Sequence, residues 1–101
     1  MQYNKLVRDK IPEMIRAVDE TPITRILEDA EYRERLEEKL DEEVAEFHKD
    51  QNIEELADIL EVVLALNESL GYSREELESA YLEKHEARGG FSARVFLIAK
   101  E

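Results

Sequence analysis

The sequence predicts a mainly α protein: four helices in a bundle, with a small two-stranded β element at residues about 22–27 and 93–99. Three observations carry that reading. The 101 residues are 43% hydrophobic and 40% charged, with three Gly, two Pro and no Cys, a balance that favours helices. Apolar residues recur at helical spacing in several stretches. Cap signals punctuate those stretches.

The elements follow in order. Residues 1–10 are polar and irregular, with Leu6 and Val7 as apolar anchors. Ile11-Pro12 marks a helix start, because Pro suits the first turn. Met14, Ile15 and Val18 place helix 1 at about 10–19, ended by Thr21-Pro22. Ile23–Leu27 is short and β-branched, so it reads as a strand or an extended linker. Asp29 is the expected N-cap of helix 2, about 30–49. KDQN then reads as a tight turn, with Asn52 capping helix 3 at about 53–70. Gly71 closes helix 3. Ser73 and Glu76 fit a capping box, so helix 4 runs from about 74 to 87. Gly89-Gly90 stops it. Phe91–Ala99 reads as a strand whose partner within the chain is 22–27.

One stretch organises the rest: Leu40–Asp58, LDEEVAEFHKDQNIEELAD. Glu43 and Glu46 are three residues apart, and so are Glu55 and Asp58. On a helix that spacing puts each pair on one face. Helices joined by a short turn pack antiparallel, so the two pairs can face each other across one seam. At roughly 100° per residue, Leu36, Leu40, Val44 and Phe47 form an apolar stripe with Glu43 inside it and Glu46 at its edge. Glu55 and Asp58 share a face with Val62 and Ala65. Four carboxylates facing packed protein repel one another unless a cation sits among them. An oxygen donor set of this kind suits Mg²⁺, with Mn²⁺ as the other candidate. The competing reading is two solvated helix faces in a Glu-rich chain.

Charge is unevenly spread. The formal net charge is −12. Residues 1–16 and 84–101 each hold four basic and two acidic residues, whereas 17–83 hold six basic and 22 acidic. So acidic a chain does not suit a nucleic acid backbone. Basic ends around an acidic centre suit phosphates held beside a metal, although the ends could simply balance the middle. No segment approaches the ~20 apolar residues of a membrane span, and no leader-like run opens the chain. One cytoplasmic domain is the expectation. Ile59–Leu66 is apolar nearly all round apart from Glu61, so a homo-oligomer, most simply a dimer, is expected to cover it.

KLDEEVAEF followed by EELADILEVVLAL resembles the all-α nucleoside triphosphate pyrophosphohydrolase superfamily, which includes MazG, the phosphoribosyl-ATP pyrophosphohydrolases and the dimeric dUTPases and dCTPases. The pattern E-E-x-x-E, spacer, E-x-x-D is carried by Glu42, Glu43, Glu46, Glu55 and Asp58. YNKLVRDKIPEMI and EARGGFSARVFL resemble a MazG-like subgroup labelled phosphoribosyl-ATP pyrophosphohydrolase-like. The spacer is shorter than in many relatives. The terminal strings are absent from the histidine-pathway enzymes, so their substrate is not expected.

The resemblance implies a MazG-like bundle that converts a nucleoside triphosphate and water to a monophosphate and diphosphate with Mg²⁺, with clearance of non-canonical nucleotides as its role. It makes Glu43, Glu46, Glu55 and Asp58 the metal ligands. Glu42, Glu43 and Glu46 are the catalytic candidates, with Glu42 or Glu46 directing the attacking water. Lys5, Arg8, Lys10, Lys84 and Arg88 are the candidate phosphate contacts. For Arg8 and Arg88 an ion pair with the Glu-rich helices is an equal alternative, and Asp9 is placed to hold the Arg8 guanidinium. His48 and His85 read as surface residues. Two other readings stand beside this one. The first is a non-enzymatic acidic helical interaction module. The second is an enzyme on another phosphorylated compound, such as a nucleotide-sugar or an alarmone.

Overall fold

The computed structural model describes residues 2–101. Its elements are four helices: α1 (Ile11–Ala17), α2 (Asp29–Asp50), α3 (Ile53–Ser69) and α4 (Arg74–Arg88). The protein is therefore mainly α, as its composition and caps predict. α2 packs along α3, and α4 meets α3 near the far end of that hairpin.

Local chemistry explains the boundaries. Pro12 sits in the first turn of α1, where its missing N–H costs nothing. The helix ends two residues earlier than the expected 19, because Asp19 turns left-handed at φ 61°. Glu28, not Asp29, is the N-cap position of α2. α2 continues through Asp50, so the turn shrinks to Gln51-Asn52. Gln51 closes α2 at φ 43°, with its N–H on the Phe47 carbonyl. Asn52 then caps α3 by accepting from the Glu55 N–H at 3.0 Å. Two residues thus reverse the chain and set α2 antiparallel to α3. At the other end, Arg33 donates to the Ser69 carbonyl at 2.7 Å and to Ser69 Oγ at 3.3 Å. Gly71 follows α3 at φ 91°, a region glycine enters without steric penalty. Ser73 and Glu76 form the reciprocal capping box that starts α4.

Among the described residues, only Leu36 and Val62 are buried, one from each helix of the hairpin. The Cα radius of gyration is 17.9 Å, against ~13 Å for a compact chain of about 100 residues. α3 explains part of this. Its Glu55, Asp58, Ile59 and Val62 face is shielded, whereas Ile53, Leu56 and Leu60, at i, i+3 and i+7, stay exposed.

The predicted β element is corrected: no strand is present among the described residues. Residues 22–27 and 93–99 do not pair. Phe91–Arg94 closes as a turn instead, with the Arg94 N–H on the Phe91 carbonyl at 3.0 Å and Arg94 at φ 60°. Ile23, Ile26, Val95, Phe96, Leu97 and Ile98 are each more than three-quarters exposed. A strand is stable only as part of a ladder, and neither piece finds one among the described residues.

Candidate metal centre

The hairpin places the acids by simple geometry. Glu46 and Glu55 flank the Gln51-Asn52 turn, and Glu43 and Asp58 lie about one turn further along each helix. Carboxylate oxygens of Glu43, Glu55 and Asp58 come within 4.8 Å of one another. A second group at the same separation consists of Glu46, Asp50 and Glu55. Glu55 belongs to both. The two acidic pairs therefore converge across one seam, and Asp50 joins them. The sequence does contain Asp50, four residues after Glu46, but reading KDQN as turn hid its helical spacing.

Electrostatics follows from this crowding. Burial pushes the Glu55 carboxyl above its ordinary range, and the charges of Asp58, Asp50, Glu46 and Glu43 push it the same way. The neighbouring acids are better matched. Lys39 Nζ lies 3.7 Å from Glu43, whose side chain is only 15% exposed, and 3.6 Å from Glu42. Arg8 donates from Nη2 to Asp58 Oδ1 at 2.7 Å, across 50 residues of sequence. The Arg8 backbone is itself fixed, because its carbonyl accepts from the Ile11 N–H at the start of α1. Asp58, rather than Asp9, holds the guanidinium. Lys39 is a contact the sequence reading missed. It stands four residues before Glu43, the spacing at which helical charges pair.

The remaining candidates separate into those near the seam and those away from it. Glu42 is paired with Lys39 and belongs to neither acidic group. Lys5 is exposed and lies over the Tyr3 ring, 5.9 Å from its centroid. Lys10 is the N-cap of α1. Lys84 and Arg88 are exposed on the outer half of α4, with no ion pair among the described residues. His48 and His85 are exposed, as expected. An apolar hollow of about 470 Å³ lies between α3 and α4, lined by Val63, Leu66, Leu70, Tyr72, Leu77 and Ala80 among others. It contains none of the clustered acids, so shape and charge point to different ends of α3. We attach the chemistry to the acids, because only they gather groups able to bind a cation.

The donor set fits a hard divalent cation. It offers carboxylate oxygens alone, in a cleft partly shielded from water, and repulsion at Glu55 has no protein cation against it. The Asn52 cap holds the first turn of α3, where Glu55 sits. Asn52→Ala is expected to cost about 1 kcal/mol, lowering Tm by roughly 4–8 °C for a chain this size. A melting curve checks it; an unchanged Tm would mean that the cap contributes nothing.

No helix among the described residues is long and apolar enough to cross a membrane. No solved structure matches the chain. An uncharacterized protein of Mycolicibacterium smegmatis is 62% identical over 42 residues, which is 42% of this chain and 43% of that protein. The chain thus matches less than half the length of that relative. Residues 4–89, which contain all four helices and both acidic groups, match the family model described as dUTPase. By that match the chain belongs to the dUTPase family, a nucleotide pyrophosphatase-like family.

Proposed function

We propose that the chain is a Mg²⁺-dependent nucleoside triphosphate pyrophosphohydrolase, releasing a monophosphate and diphosphate. The observation that carries this is the convergence of Glu43, Glu55 and Asp58, with Glu46 and Asp50 adjoining through Glu55. These residues would hold the cation. Mg²⁺, when bound, supplies positive charge to phosphate oxygens and acidifies water; Mn²⁺ is the alternative. Glu46, at the exposed rim of the seam, is better placed than Glu42 to accept a proton from attacking water, because Glu42 is turned to Lys39. Arg8, which reaches Asp58, is the first phosphate contact, with Lys10 and Lys5 on the same segment. The family match makes dUTP the first substrate to test. A MazG-like preference for non-canonical nucleotides is the next.

We further propose a homo-oligomer, most simply a dimer. The exposed stripe Ile53–Leu56–Leu60 and the small core support it. α4 meets α3 through Leu77 and Ala80 at the α3 end remote from Asp58, so we assign Lys84 and Arg88 to a neighbouring subunit's site.

Diphosphate release measured over dUTP, the canonical nucleotides and damaged nucleotides, with Mg²⁺ or Mn²⁺, tests the activity. We expect cation-dependent release with at least one of them. No release from any, together with a melting curve that ignores Mg²⁺, would return the protein to the interaction-module reading.

A further inference from the structure

Arg8 is held where a nucleotide enzyme of this kind would need a cation. Its guanidinium lies 2.7 Å from Asp58, one of the three converging acids, and it comes from a segment outside the hairpin. Its side chain is 56% exposed, so it is free to leave. The pair is also isolated: one Nη contacts one Oδ, and among the described residues Arg8 has no second acceptor. The stronger geometry is the two-pronged bond that Arg25 makes to Glu31, at 3.0 and 2.7 Å. Arg8 does not make it.

From this we infer that Arg8 is a placeholder counter-ion: it occupies Asp58 while the acid cluster holds no cation, yields Asp58 when a divalent cation is bound, and then serves the substrate phosphates. The inference rests on the proposed metal site. Physically it is a competition for one carboxylate. An arginine and a divalent cation drawn to one small carboxylate repel each other and share its charge, so each weakens the other's hold. Once free, the same fork has both prongs available for phosphate oxygens. The anchoring of the Arg8 carbonyl at the start of α1 keeps the backbone in place while the side chain turns.

The consequence is a substitution with opposite effects on two ligands. In Arg8→Ala, Mg²⁺ binding without nucleotide should tighten, by about two- to tenfold for the loss of one partly solvated competitor. Binding of a triphosphate analogue that cannot be cleaved between its α and β phosphorus atoms, measured with saturating Mg²⁺, should weaken. Lys10→Ala serves as the control for net charge, because Lys10 lies two residues away and pairs with no acid among the described residues. Its Mg²⁺ affinity should change less than that of Arg8→Ala. Titration calorimetry on the wild-type chain and both variants reads all these quantities without turnover. Unchanged or weaker Mg²⁺ binding in Arg8→Ala overturns the placeholder role. So does an equal gain in Lys10→Ala, which would reduce the effect to net charge, and so does unimpaired analogue binding in Arg8→Ala. If wild type and Arg8→Ala both fail to bind Mg²⁺ and Mn²⁺, the metal site itself is refuted and the inference falls with it. Arg8→Lys should retain the competition with Mg²⁺ and recover only part of the analogue binding.

Discussion

Glu55→Gln is expected to remove cation-dependent hydrolysis, by on the order of 100-fold or more, while raising the melting temperature of the metal-free protein. Glu55 is the acid shared by both groups, so its loss disarms each of them. Neutralising a direct ligand should cost more than the roughly 10–100-fold typical of a residue that merely supports one. The stability gain has a separate cause. Glu55 is pushed upward by burial and by four neighbouring acids, and no protein cation opposes them. Its charged form is therefore disfavoured in the fold. A carboxyl raised above its unfolded value contributes stability at pH below the unfolded range and loses it as pH rises through the folded value. The metal-free wild type should accordingly gain stability on mild acidification, and Glu55→Gln should show less of that gain. Added Mg²⁺ should raise Tm in the wild type by mass action and do so far less in the variant. Turnover equal to wild type would remove Glu55 from the site.

Glu43→Gln and Asp58→Asn should differ from Glu55→Gln in one respect. Both should lose hydrolysis. Neither should gain metal-free stability, because Glu43 would lose Lys39 and Asp58 would lose Arg8. Spacing alone suggests that removing any of the four acids relieves repulsion. The structure distinguishes them by their partners, and partners depend on tertiary placement.

That distinction marks where the sequence is legible. Helix existence and the tight reversal were readable because the signals are local: Pro12, the Asn52 cap, Gly71 and the Ser73–Glu76 box each act within four residues. The facing of the acid pairs was readable because a short turn, read there as KDQN, sets two helices antiparallel. The Arg8–Asp58 pair spans 50 residues, and no periodicity encodes a bond of that range; only its class, an arginine against the Glu-rich helices, was foreseeable. Asp50 was missed through a boundary error of one residue at the end of α2. The β element failed for another reason. Val95–Ile98 and Ile23–Leu27 have the composition of strands, but composition does not supply a neighbour, and here neither joins a ladder and Ile23, Ile26 and Val95–Ile98 stay exposed.

Leu60→Asp is expected to convert the protein from an oligomer to a monomer. Ile53, Leu56 and Leu60 lie along one side of α3, opposite the face that packs on α2, and each is at least half exposed. A helix apolar on two faces needs two partners, and the chain supplies α2 for one face but reaches the other with α4 only past Leu60, at Val63, Leu66 and Leu70. Covering half a leucine is worth about 1 kcal/mol, and a two-fold interface contains each residue twice. Placing a carboxylate there adds the desolvation of a charge without a partner, which costs several kcal/mol more. Dissociation by on the order of 100-fold at micromolar concentration is the resulting expectation. Asp58 and Glu55 point to the other face, so Mg²⁺ binding by a folded Leu60→Asp monomer should be retained. Hydrolysis should nevertheless fall, because Lys84 and Arg88 are assigned to the neighbouring subunit's site. Light scattering and calorimetry on the one variant separate these effects. A wild-type chain that is already monomeric would remove the interface. A monomeric variant with full activity would instead return Lys84 and Arg88 to the solvated surface of α4.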